Sequence, residues 1–315
     1  RRFTDGPESV AQRWLLPPYN LDGWRVDVAN MTGRRGADAL THDVARLLRR
    51  GVAGARPDGL LVAEHAHDAT GDLDRDGWHG TMNYGGFTRP VWSWLRGCDP
   101  VTPGFGAVPG ELPRRDGVAA LATMRAYAAL NSWRTLTASW NLVGSHDTPR
   151  IRTITGDPAA VEVAVGLQLT LPGTPMIFAG DELGLRGVNG EDARRPMPWE
   201  RRGAWDLATL GRYRALVALR RAEPALRRGG LRWAYADADA LVFLRETLDG
   251  GDLLMLARRA PGEPVRLPGL GLTGPAENVY GGAPALRAAG DPAGPVALPG
   301  DGPTFQVWRL HPGLQ

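Results

Sequence analysis

Three carboxylates stand where charge is costly. Asp27 lies in Gly23-Trp24-Arg25-Val26-Asp27-Val28-Ala29-Asn30-Met31, Glu64 in Leu61-Val62-Ala63-Glu64-His65, and Asp147 in Asn141-Leu142-Val143-Gly144-Ser145-His146-Asp147. Each follows an apolar run of the kind that forms a short buried strand. A charge beside a core is tolerated only when it is paired or put to use. Carboxylates set at strand ends can act as a nucleophile and a general acid. They can also be structural: Arg25, two residues before Asp27, projects to the same side of its strand, so a salt bridge between strand neighbours explains that pair equally well. On these residues alone both readings stay open. His65 and His67 beside Glu64 suggest a metal site, but no second cluster of ligands follows. Neither a metal nor a cofactor is expected. His146 by itself reads as a satisfied structural histidine.

The elements that must hold these residues follow from periodicity. A short helix is expected over 9–16, a strand over 23–28, and a helix over 41–50 with Val44, Leu47 and Leu48 on one face and Gly51 ending it. Strands are expected over 60–63, 81–84, 138–144 and 175–179, and helices over 89–95, 118–133, 158–171 and 206–221. The stretch from Gly97 to Asp116 reads as a loop. Strands alternating with helices argue for parallel βαβ units. In a barrel of such units the chemistry gathers at the C-terminal ends of the strands, where Asp27, Glu64 and Asp147 all fall. After about residue 225 the pattern changes to short apolar runs split by Gly, Pro and Asp, which predicts an antiparallel β module.

Composition narrows the function classes. The 315 residues carry 43% hydrophobic and 23% charged side chains, ordinary for a globular protein. No Lys occurs, so all 37 basic residues are Arg, set against 34 acids. The net charge of +3 is scattered, and no basic stripe for nucleic acid stands out. The single Cys98 excludes an intramolecular disulfide, and no His beside it suggests a catalytic thiol. No run of about 18 apolar residues marks a membrane span. No signal peptide is visible, and the expected location is the cytoplasm.

The carboxylate motifs, in this order, resemble the conserved regions of the α-amylase family of glycoside hydrolases (family 13). The block Gly180-Asp181-Glu182-Leu183-Gly184, continuing through Asp192-Ala193-Arg194-Arg195-Pro196-Met197-Pro198-Trp199, resembles the loop after that family's last barrel strand. The likeness spans about residues 1–225 and is greatest to the neopullulanase, cyclomaltodextrinase and α-glucosidase branch. It implies an α/β fold: residues 1–225 as the C-terminal part, about strands 4–8, of a TIM (β/α)8 barrel, and residues 226–315 as an all-β domain.

The resemblance also implies roles. Asp27 is the nucleophile that forms a glycosyl-enzyme ester, Glu64 the general acid and base, and Asp147 the group that holds sugar hydroxyls and stabilises the transition state. Arg25 orients Asp27, His146 bonds sugar hydroxyls, and Arg194 matches an arginine that reaches the active site in related α-glucosidases. Trp92 and Trp94 are read as packing rather than sugar platforms, and Asp181 and Glu182 as loop structure. The chain departs from the branch at Met31, where an acid is usual, and at His65-Ala66, where an apolar residue and Trp are usual. The family's first three barrel strands, with an Asp-His motif on the third, are expected to precede residue 1. The chain by itself is then expected to be poorly soluble or inactive. The implied function is a retaining α-glycoside hydrolase on α-glucans or maltodextrins. The alternatives are an inactive fragment or carbohydrate-binding remnant, and a transglycosylase or isomerase such as a trehalose synthase. The partner is an α-glucan or maltooligosaccharide, with neither nucleic acid nor membrane involved.

Overall fold

The structure is a computed structural model that describes residues 2–4, 6–73, 76–97, 112–248 and 250–310. Cys98 and most of the loop expected between Gly97 and Asp116 lie outside the described residues. The chain divides into two compact units: Arg1–Phe87 with Met124–Leu142, and Thr88–Thr123 with Val143–Gln315. The change of character near residue 225 therefore falls inside the second unit.

The first unit is built on parallel strands. Its strands in chain order are β1 (Gly23–Val26), the exposed two-residue pair β2 (Arg34–Arg35) and β3 (Asp38–Ala39), β4 (Leu60–Ala63), β5 (Gly80–Thr81) and β6 (Trp140–Asn141). The sheet runs β1-β4-β5, with both pairs parallel, and an isolated parallel bridge joins Met82 to Trp140. The crossover from β1 to β4 is the helix Thr41–Ala55, as βαβ connection requires. It buries Ala45, Leu48 and Val52 against Leu61 and Ala63. The helix does not stop at Gly51. A Cβ there would stand 2.6 Å from the Thr4 carbonyl, so this glycine permits close approach rather than termination. The helix expected over 118–133 is two: Gly117–Ala129, and Trp133–Ala138, whose Ser132 cap accepts from the Thr135 N–H at 3.1 Å.

The second unit contains β7 (Thr174–Pro175) and the C-terminal strands β8 (Gly230–Ala236), β9 (Ala240–Glu246), β10 (Leu253–Arg258), β11 (Val265–Leu267), β12 (Glu277–Tyr280), β13 (Val296–Leu298) and β14 (Thr304–Arg309). Antiparallel pairing gives one five-stranded sheet, β12-β14-β10-β9-β8, and one two-stranded sheet, β11-β13. Strand β13 and the short helix Pro224–Arg228 are absent from the sequence reading. The helix Pro158–Thr170 starts at a Pro capped by Asp157 and is buried on nearly every side. Its Gly166 lies against the Phe305 ring of β14, where a Cβ would come within 2.2 Å. Arg245, only 1% exposed, is a second tie. It donates to the carbonyls of Thr170, Leu226, Gly229 and Gly230. The β module is thus welded to helices of its own unit.

Strands β5, β6 and β7 end earlier than the apolar runs predict; past β5 the chain goes through the Met82–Trp140 bridge into a π-helical turn at Tyr84–Thr88. Among the described residues no helix is long and apolar enough to cross a membrane.

Candidate active site

In the first unit, the turn that leaves β1 carries Asp27 out of the sheet with its side chain 72% exposed, while Glu64, at the end of neighbouring β4, is 13% exposed. Arg25 joins them. One guanidinium nitrogen pairs with Asp27, and the other lies 3.8 Å from Glu64 Oε2 and has no hydrogen-bond partner. The Val28 N–H donates to Glu64 Oε2 at 2.5 Å. Backbone bonds clamp the same two turns, from Glu64 N to Val26 O at 2.8 Å and from Ala29 N to Glu64 O at 2.9 Å. Val28 sits at φ 41° and ψ 48°, the left-handed region, which a β-branched residue adopts only when its surroundings force it. The strain falls on the residue next to Asp27. A cavity of about 300 Å³ beside Asp27 and Arg25 is lined by Trp24, Val26, Leu48 and Leu61, a surface too apolar to bind sugar hydroxyls.

His65 is buried with its Nδ1 unpartnered, and burial lowers its pKa. Its ring meets His67 edge to face with centroids 6.2 Å apart.

In the second unit, Asp147 is gripped from two sides. His146 Nε2 lies 3.1 Å from one carboxylate oxygen, and Arg194 Nη2 donates to the other at 2.7 Å. Arg194 Nε also donates to the His146 carbonyl at 2.8 Å. The three side chains assigned together from the motifs thus form one cluster. Gly190 makes it possible: a Cβ there would come within 2.9 Å of the Asp147 carbonyl carbon. Asp181 is fully buried and pairs with Arg150 at 2.8 Å, and burial pushes its pKa up to about 7 while Arg150 pulls it down. Glu182 accepts from the Gly180 N–H at 2.7 Å, a loop-holding contact. Trp92 and Trp94 are fully buried, donating to the carbonyls of Val143 and Ala238. They are core residues.

Residues 109–208 match the alpha amylase, catalytic domain family. Neopullulanase 2 of Thermoactinomyces vulgaris is 34% identical over 259 residues, which is 78% of this chain and 39% of that protein. A cyclomaltodextrinase of Geobacillus thermopakistaniensis is 30% identical, over 82% of this chain and 40% of its own length. The solved debranching enzyme of Nostoc punctiforme superposes with a TM-score of 0.81 at 26% identity, covering 95% of this chain and 60% of that one.

The chain belongs to the α-amylase family.

It spans about two fifths of the length of these curated relatives. Membership in the α-amylase family implies a TIM-barrel catalytic domain accompanied by a β domain. Three residues that sequence reasoning passed over bear on these clusters, each within its own unit: Val28 through its strained turn beside Asp27, Gly190 through its contact with Asp147, and Arg150 through its bonds to Asp181 and Ala193. Arg150 had one available signal, a charge just ahead of the apolar Ile151 in Thr-Pro-Arg-Ile. Nothing local marks the other two.

Proposed function

We infer that the protein is a retaining α-glycoside hydrolase acting on α-glucans or maltodextrins. The observation that carries this reading is the pair of carboxylates Asp27 and Glu64 at adjacent strand ends, with the Arg25 guanidinium between them, in a chain of the α-amylase family. Asp27 is exposed and Glu64 is largely shielded. Neopullulanase and cyclomaltodextrinase among the relatives support the substrate class.

The reaction runs in two displacements. The Asp27 carboxylate attacks the anomeric carbon as the bond to the leaving oxygen breaks, and Glu64 gives its proton to that oxygen. Glu64, now a base, takes a proton from water, whose oxygen attacks the same carbon and releases Asp27. Arg25 keeps Asp27 aimed. Asp147, with His146 and Arg194 bound to it, holds sugar hydroxyls and stabilises the oxocarbenium-like charge. The parallel order β1-β4-β5 and the Met82–Trp140 bridge support assigning β1, β4, β5, β6 and β7 to the fourth through eighth barrel strands. The antiparallel sheets support residues 226–315 as the β domain.

The test is release of reducing sugar from maltotriose, pullulan and cyclodextrin by the full natural protein, with the first product read by proton NMR. Retention gives the α-anomer. Early release of the β-anomer, or no turnover on any of the three, would sink the assignment.

A further inference from the structure

We propose that Arg150 is a positioning residue for Asp147, acting by locking the Ala193 carbonyl and so aiming the Arg194 guanidinium at the carboxylate. The inference rests on the reading of Asp147 as a sugar-binding group. Arg150 is 1% exposed, yet it meets few of its partners nearby in the chain. Its Nε and Nη2 both donate to Ala193 O, at 3.0 and 2.8 Å, and Nη2 also donates to Ala179 O at 3.1 Å. Nη1 donates to Asp181 Oδ1 at 2.8 Å, the guanidinium carbon lies 4.1 Å over the Phe178 ring, and the backbone N–H donates to Gly187 O at 3.0 Å. One side chain therefore stitches the segment that carries Asp147 to the segment that carries Arg194.

The physical case is one of pre-organisation. Arg194 is long and 43% exposed, and an ion pair in such a place is worth at most about 1 kcal/mol. That is too little to hold four side-chain torsions in one geometry. Alignment has to come from the backbone beneath it, and Ala193 is the residue immediately before Arg194. The short helical turn Gly190–Ala193 is fixed at its start by the Asn189 side chain, which accepts from the Asp192 N–H at 2.8 Å, and at its end by Arg150. Stability alone does not explain the arrangement. Two buried charges forgo hydration that an apolar pair of the same size would not lose. Asp181 Oδ2 is buried without a partner, so the pair is not even fully satisfied. What this buried cation supplies is a fixed carbonyl one residue from Arg194.

The test is a double-mutant cycle in the full natural protein, with maltotriose as substrate. Arg150→Lys keeps the charge and loses the fork. It should lower kcat/KM about 10- to 100-fold, mostly in kcat, the scale on which a displacement of about 1 Å acts. Arg194→Met should cost a similar factor, and the double variant should fall within about twofold of Arg194→Met alone. Losses that multiply would overturn the proposal. If Arg150→Lys does not fold, Asp181→Ala, which removes the counter-ion that fixes Nη1, takes its place in the cycle and must show the same non-additivity. A crystal structure of the Arg150→Lys variant, or of Asp181→Ala in its place, decides the point without activity: Arg194 should withdraw from Asp147, and an unchanged Arg194–Asp147 pair refutes the inference. A wild-type protein inactive on every glucan would defeat the functional reading while leaving that structural result to judge Arg150.

Discussion

Val28 is the sharpest place to test the turn that presents Asp27. Its φ of 41° and ψ of 48° would cost about 1–2 kcal/mol for a residue with a Cβ, and the residue is 46% exposed, so its methyl groups return little burial. Three bonds impose the conformation: Val28 N–H to Glu64 Oε2, Glu64 N–H to Val26 O, and Ala29 N–H to Glu64 O. Glycine adopts this region freely but adds about 0.5–1 kcal/mol of unfolded-state entropy. Val28→Gly should therefore be more stable than Val28→Ala by roughly 0.5–1 kcal/mol, since Ala keeps the strain and loses the methyls. In a chain of this size that is about 1–4 °C in Tm. Thermal unfolding of the two variants side by side is the assay. Activity should move the other way: a freer backbone loosens the Val28–Glu64 bond, and kcat for Val28→Gly should fall several-fold below that of Val28→Ala although Val28→Gly is the more stable of the two. If Val28→Ala proved as stable as Val28→Gly, the claim that the turn is strained would fail.

Replacing Asp27 by Ala should remove the covalent route and cost several orders of magnitude in kcat on maltotriose, whereas Asp181→Ala should cost far less, and near-equal losses would contradict the assigned roles. His79 accepts the Leu61 N–H on Nδ1 at 3.0 Å, and burial, then Arg49, push its pKa down to about 4. The neutral ring thus stabilises the fold above about pH 6.5, and that contribution is lost as the pH falls through about 4. With solvent screening allowed for, it amounts to about 1–2 kcal/mol. Urea midpoints from pH 7 to 4 should drop less for His79→Asn, whose Oδ1 accepts the same amide, and parallel curves would refute this. Burial, then Arg220, lower the Arg245 pKa to about 9, so it stays charged at neutral pH. Arg245→Met leaves buried carbonyls unpaired and should destabilise the second unit by about 3 kcal/mol or more, read from denaturant unfolding, with a loss below about 1 kcal/mol as the contrary result.

Some of this site was legible in the chain because its physics is local. Arg25 and Asp27 stand two apart, so the pair is close in sequence even though Asp27 lies just past the end of β1. The Asp157-Pro158 start of the long buried helix and the amphipathic face of Thr41–Ala55 are written in neighbouring residues. The antiparallel module could be anticipated from Gly and Pro punctuation, although β13 and the helix Pro224–Arg228 were not.

The sequence by itself determined that Asp27 and Glu64 stand at the ends of strands, where the longer helices begin, and the family, since each depends on the order of nearby side chains; Asp147 instead lies in the loop beyond β6. Tertiary structure decided the rest. The partners of Arg150 lie 29, 31 and 43 residues downstream, so nothing beside it announces a hub. Val28 is forced left-handed in part by a carboxylate 36 residues away, against its own preference. Gly51 looked like a helix end and is a contact point, because what it needs room for is the Thr4 carbonyl. The compact units are discontinuous in sequence, so a change of composition near residue 225 does not mark where they divide. In each case the deciding energy comes from a group brought near by folding, and a local pattern carries no record of it.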